Sequence, residues 1–160
     1  MAVTLELLRR LSEQQVEFVL IGGLAANLHG VQKLTEDIDV CIPFTVENIA
    51  KIIAAVAGLN PHYRMRPDLP FVTDPQYYAR FNNLYLVTDV GPIDFLGEVD
   101  AIGKYADALK DSDVAELEGK KFRVLTIEAL IRAKRAAGRQ KDWEAIRQLE
   151  ALQRAKDEQK

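Results

Sequence analysis

The chain has 160 residues, 48% of them hydrophobic and 28% charged, with a net charge of -3; that size suits one compact domain, and the composition excludes disordered, fibrous and low-complexity classes. Its one cysteine, Cys41, excludes an internal disulfide and a cysteine-rich metal site, and no apolar window approaches a membrane span. Arg9, Arg10 and Glu13 break up the N-terminal apolar residues as a signal peptide would not, so the expected location is the cytoplasm.

Leu5, Leu7, Leu8 and Leu11 recur at helical spacing and predict an amphipathic helix ending near Gln15. Val16 to Ile21 is a short apolar run halted by Gly22 and Gly23, the pattern of a buried strand entering a tight turn. Residues 24–30 then predict one or two helical turns stopped by Gly30. Asp37 to Ile42 alternates as a strand, and Val46 to Leu59 carries Ile49, Ile52, Ile53 and Val56 on one helical side. Asn60 to Asn82, with four prolines, several aromatics and Arg64, Arg66 and Arg80, shows no clean period and reads as a long irregular connection of the kind that often carries function.

Residues 84–89 and 92–97 predict two antiparallel strands joined at Val90 and Gly91, with Asp94 inside the second. A further hairpin turns at Gly119 within residues 114–125. Thr126 can cap a helix through Ala137, Gly138 can end it in a left-handed conformation, and a last helix runs from about Lys141 to Ala155. From Lys120 onward 12 Lys and Arg stand against 6 Asp and Glu, whereas the first 119 residues carry 9 against 18. Such a basic tail suits nucleotide phosphates or RNA, and equally suits a solvated helix face. The expected fold is α/β or α+β, a mixed sheet flanked by helices. Residues 1–125 would form the core and 126–160 a helical extension packed on the same domain.

Two local patterns carry chemistry. Alternation puts Asp37 and Asp39 on one side of a strand and Ile38, Val40 and Ile42 on the other. Two carboxylates on one face can converge on a hard divalent cation that keeps substrate phosphates in its shell; the plainer reading is a half-exposed strand with solvated aspartates. Gly22-Gly23 sits between an apolar strand and a helical segment, where backbone can approach a ligand closely and amide donors face an anion. The plainer reading there is an ordinary turn. The glycine pair followed fourteen residues later by Asp-x-Asp makes each functional reading stronger.

Residues 21–42, IGGLAANLHGVQKLTEDIDVCI, resemble the signature of the DNA polymerase β-type nucleotidyltransferase superfamily. That signature is an apolar residue, Gly-Gly or Gly-Ser, a helix and then Asp-apolar-Asp-apolar; its third acid, on a later strand, is matched by Asp94 between Ile93 and Phe95. His29-Gly30, Lys33 and Thr35 ahead of the first aspartate resemble the AbiEii-like bacterial branch, which includes toxin components and usually has Arg where Lys33 stands. The tail, with Lys134, Arg139, Lys141 and Asp142, is similar to that branch's C-terminal helices, so the likeness spans roughly Phe18 to Leu152.

The resemblance implies that Asp37, Asp39 and Asp94 hold Mg2+ or Mn2+ and that Gly22 and Gly23 cradle a nucleoside triphosphate. Asp94 would also activate an acceptor hydroxyl. Lys33, Thr35, Lys134 and Lys141 would be further nucleotide contacts, though a solvated helix accounts equally well for the two tail lysines. It implies transfer of a nucleoside monophosphate to an RNA end, a protein or a small molecule. The basic tail favours RNA, and a second copy or an antitoxin-type partner would complete so short a chain. The alternative is an inactive nucleotide-binding or partner-binding module of a toxin-antitoxin pair. His29, His62 and Cys41 have no identifiable catalytic partner in the sequence.

Overall fold

A computed structural model describes residues 2–35 and 37–159. The elements run in the order α1 (Ala2–Glu13), β1 (Val19–Ile21), α2 (Gly22–His29), β2 (Ile38–Cys41), α3 (Val46–Val56) and β3 (His62–Tyr63). They continue with β4 (Asn83–Thr88), β5 (Gly91–Leu96), β6 (Glu98–Val99), β7 (Gly103–Lys104) and α4 (Tyr105–Lys110), then β8 (Ser112–Leu117), β9 (Lys120–Leu125), α5 (Ile127–Ala137) and α6 (Trp143–Glu158). Short 3-10 turns cover Pro75–Tyr78 and Gln140–Asp142. Among the described residues no helix is long and apolar enough to cross a membrane.

Seven strands form one mixed sheet in the order β3-β4-β5-β2-β1-β9-β8, and β6 and β7 make a separate small hairpin. β2 lies between a parallel neighbour, β5, and an antiparallel one, β1. Along these strands Ile38, Val40, Ile93, Phe95, Leu84 and Leu86 are buried, while Asp39, Asp94 and Tyr85 are only half-buried. The period-2 alternation thus splits the sheet into an apolar face and a polar one. α1 packs on α3, with Arg10 Nη1 donating to the carbonyls of Ala55 and Ala57 at 3.2 Å. α2 packs on β1, β2, α5 and α6.

Several elements differ from the sequence expectation: α3 ends at Val56 rather than Leu59, and β6, β7 and α4 have no counterpart in it; three further differences have a local reason. β1 starts at Val19 rather than Val16 because the Asn48 side chain takes both backbone groups of Glu17. Its Oδ1 accepts from Glu17 N at 2.7 Å and its Nδ2 donates to Glu17 O at 3.0 Å. β2 starts at Ile38 and leaves Asp37 outside the strand: the ladder with β1 stops at Ile21↔Asp39, where the chain turns into α2, and on the other side the register would set Asp37 beside Pro92, which has no amide hydrogen. The segment 60–82 supplies the edge strand β3 and the 3-10 turn at Pro75, so it is partly regular. The caps expected at Thr126 and Gly138 form, and Thr45 caps α3 in the same way as Thr126 caps α5. Thr45 and Thr126 each accept from the amide three residues on, and Gly138 sits in the left-handed region at φ 63°.

Asn48 is 2% exposed and also donates to Pro43 O at 3.3 Å, tying α3 to the approach of β1 and the exit of β2. Asn48→Ala leaves the partly buried backbone groups of Glu17 and Pro43 without this partner and opens a gap at a buried position. Urea unfolding should show a loss of about 2–3 kcal/mol, against less than about 0.5 kcal/mol for a change at an exposed residue such as Arg154→Ala.

Candidate active site

The site begins with one register row. Ile21, Asp39, Asp94 and Tyr85 lie side by side across β1, β2, β5 and β4. The parallel pairing of β2 with β5 therefore sets the Asp39 and Asp94 side chains next to each other on the polar face. The residue after Ile21 is Gly22, at φ +72°, where a Cβ would stand 2.5 Å from Asp39 Oδ2. Glycine is required there twice over, by the backbone angle and by the carboxylate in the way. At Gly23 a Cβ would meet Thr35 Oγ1 at 3.3 Å, and the same hydroxyl accepts from the amide of Asp37 at 3.3 Å. Thr35 thus braces the first turn of α2 against the approach to β2.

A cleft of about 820 Å³ opens over this row, and all nine residues singled out in the sequence line it. Gly22, Gly23, Thr35, Asp37, Asp39 and Asp94 form its acidic end, with Glu98 and Asp100 at the margin. Lys33, Lys134 and Lys141 line the wall supplied by the loop after α2 and by the C-terminal helices. Lys33 Nζ donates to the carbonyl of Lys141 at 3.4 Å, which closes that rim.

Lys134 is buried at 8% exposure, with its Nζ 3.4 Å from Asp142 Oδ1. Arg139 Nε donates to Asp142 Oδ2 at 2.7 Å. Burial would raise the Asp142 carboxyl, but Arg139 and Lys134 outweigh it and hold it below the ordinary carboxylate range. Two cations against one anion leave this wall net positive.

The acidic end is the reverse. Burial pushes Asp39 up to about 6, with the charges of Asp94 and Asp37 adding to it and Arg64 opposing it. Asp94 is also raised, by burial first, against the pull of Arg64. Arg64 Nη1 stands 3.0 Å from Asp94 Oδ1, and its guanidinium lies 4.9 Å from the Tyr85 ring centre. That contact is an ion pair without hydrogen-bond alignment, since Asp94 Oδ1 is buried and accepts no directed hydrogen bond. Among the described residues no three His, Cys, Asp or Glu form a ready-made metal cage.

Arg64 and Arg139 were not singled out as site residues from the sequence. Arg64 follows a two-residue strand, too short to show a period, and reaches the site because its amide pairs with the Tyr85 carbonyl at 3.0 Å. The remaining candidates are structural. His29 Nε2 lies 2.7 Å from the Leu125 carbonyl, and His62 Nδ1 lies 3.2 Å from that of Asn60. Cys41 is fully buried, and that burial pushes its thiol up to about 12, away from thiolate chemistry.

The chain is similar to a solved structure from Thermotoga maritima, a protein assigned only provisionally as a nucleotidyltransferase. The TM-score is 0.54 with 19% identity, covering 90% of both chains. The chain has the nucleotidyltransferase fold, a mixed sheet flanked by helices with a helical C-terminus. No family model matches the sequence, and no curated protein matches it either.

The burial of Asp39, with the charges of Asp94 and Asp37 beside it, predicts a pH signature. Asp39 holds its proton more tightly folded, near pH 6, than in the unfolded chain at about 3.8. Between those values the folded state binds more protons, so stability falls as pH rises, and the cost is fully present above pH 6. Asp39→Asn removes that cost, on the order of 2 kcal/mol. In buffer free of divalent ions it should raise Tm by about 4–8 °C at pH 8 and have little effect at pH 4.

Proposed function

We propose that this chain is a divalent-metal-dependent nucleotidyltransferase moving a nucleoside monophosphate from a triphosphate onto a hydroxyl acceptor. The observation that carries this reading is the pairing of Asp39 with Asp94 at one end of a cleft whose other wall is cationic. The residues suit a hard cation: Asp39 and Asp94 are both raised despite the one nearby cation, Arg64, and one buried oxygen, Asp94 Oδ1, accepts no directed hydrogen bond. Mg2+ commonly takes one or two carboxylates and completes its shell with phosphate oxygens and water, which fits a site with no three-carboxylate cage. When bound, Mg2+ or Mn2+ would supply charge to the attacking and leaving oxygens.

The chain's own residues do the rest. Gly22 and Gly23 bring the start of α2 close to the triphosphate, where free amides and the helix dipole favour anions. Lys33, Lys141 and the fixed charge of Lys134 balance phosphates along the opposite wall, and Thr35 links Gly23 at the start of α2 to the Asp37 amide. Asp39 and Asp94 would hold the cation with Asp37 adding charge beside them, and Asp94 takes the proton of the acceptor hydroxyl. The acceptor oxygen bonds to the α-phosphorus, the bond to the bridging oxygen of the β-phosphate breaks, and pyrophosphate leaves with that electron pair.

The residues His29-Gly30, Lys33 and Thr35 support placement beside the AbiEii-like branch, with cytoplasmic NTP as donor and RNA, such as a tRNA end, as the favoured acceptor on the strength of the basic tail. A homodimer or an antitoxin-type partner would extend the acceptor side. One observation favours a second reading, an inactive binding module of a toxin-antitoxin pair. Arg64 already supplies Asp94 with the positive charge that a cation would bring.

Calorimetric titration with ATP, GTP, CTP and UTP, each with and without Mg2+, tests the reading. Wild type should bind at least one of them in a saturable, Mg2+-dependent way, and the Asp37→Asn, Asp39→Asn double variant should lose at least about 100-fold in affinity. Labelled nucleotide transfer should disappear in Asp94→Asn. Full transfer by that variant would remove Asp94 from the mechanism, and binding without transfer to any acceptor would favour the inactive module.

A further inference from the structure

Arg64 is the one residue of the acidic end that carries positive charge, and nothing in the proposed reaction uses it. Its guanidinium is held on two sides, by Asp94 Oδ1 at 3.0 Å and by the Tyr85 ring at 4.9 Å. Its backbone is fixed by the hydrogen bond to Tyr85. It opposes the upward shift of both Asp39 and Asp94. Yet its side chain is 39% exposed, against 16% for Asp94, so the cation is free to leave while the carboxylate is not. The pair also lacks the alignment of a strong two-pronged bridge, and such a partly exposed contact is worth little to stability.

We infer that Arg64 is an internal counter-cation that occupies the position of the divalent ion at Asp94 and is displaced from it when the ion binds. This rests on the reading of Asp39 and Asp94 as a metal pair. A resident guanidinium relieves the carboxylate repulsion while the cleft is empty. It also weakens the site for a bare cation, so that the ion enters together with the phosphates that complete its shell. Tyr85 gives the displaced guanidinium a face to rest on.

The test measures Mn2+ binding, without nucleotide, to the full chain by the loss of the free-ion spin-resonance signal. Wild type is compared with Arg64→Gln, Arg64→Lys and Arg66→Gln. Arg66 lies in the same segment, is exposed and is paired with Asp68, so its variant removes an equal charge from outside the site. Arg64→Gln should tighten Mn2+ roughly fivefold, Arg64→Lys should stay near wild type, and Arg66→Gln should change nothing. Where Arg64→Gln fails to fold, Tyr85→Leu stands in for it, loosening the guanidinium without removing charge, and should tighten Mn2+ about twofold. A separate readout is the Arg64 Nε–H resonance during Mg2+ titration, which should move in wild type and stay still in Asp94→Asn.

Mn2+ binding that is measurable in wild type but unchanged or weaker in Arg64→Gln overturns the inference and leaves the functional reading standing. An Arg64 resonance that ignores Mg2+ while the ion binds does the same. No saturable Mn2+ binding in any variant, Arg64→Gln included, overturns the inference, and the nucleotide titrations with and without Mg2+ then decide the functional reading separately.

Discussion

Everything at the site depends on one pairing, that of Asp39 with Asp94 across the parallel strands β2 and β5. Burial pushes both carboxyls toward their neutral forms, and at Asp39 the charges of Asp94 and Asp37 add to it. The pairing survives because the next residues along, Val40 and Phe95, are in register with each other and fully buried. A slip of one position would turn these two into solvent and the aspartates into the core. The apolar face therefore fixes the register, and the polar face inherits the repulsion. Stability spent in this way at a cleft, with no structural return, is what a binding site looks like in energetic terms.

The same constraint reaches into the neighbouring elements. β1 pairs with β2 only as far as Ile21↔Asp39, and the chain must turn immediately if the carboxylate is to stay open to the cleft. Gly22 makes that turn at a positive φ, with no side chain to strike Asp39. α2 then starts directly above the acidic row, and α5 and α6 close over α2 to bring a positive wall opposite it.

Much of this could be read from the sequence, and what could not follows from how short the missed elements are. The Asp-x-Asp alternation, the glycine pair, Asp94 on its strand and the caps at Thr126 and Gly138 are local signals set by periods of 2 and 3.6 or by a single backbone angle. They needed no knowledge of tertiary contacts. The strands β3, β6 and β7 have two residues each and so show no period, and the sequence reading gave no element to α4 either. Arg64 stayed hidden for this reason, because its role comes from an edge strand defined only by pairing with β4. The same holds for Asn48, an ordinary polar residue inside a helix pattern until the fold brings Glu17 against it. The ion pair of Lys134 with Asp142 is likewise a tertiary fact. In sequence the two residues are members of a charged helical tail, and burial alone distinguishes them from solvated ones.

The cleft is best understood through the separation of its charges. A uniformly acidic pocket would collect cations and a uniformly basic one anions, each without needing the other. Here the acidic row and the cationic wall share one cleft of about 820 Å³. Asp142 locks Lys134 and Arg139 in place, so the wall cannot collapse across the cleft to neutralise the aspartates. Among the described residues Arg64 is the cation that reaches an aspartate of the acidic row, and it does so from the β3 edge of the sheet. A ligand that satisfies both ends at once must bring positive charge to Asp39 and Asp94 and negative charge to Lys33, Lys134 and Lys141. A nucleoside triphosphate carrying its own divalent ion has that distribution, and neither the ion nor the nucleotide alone does.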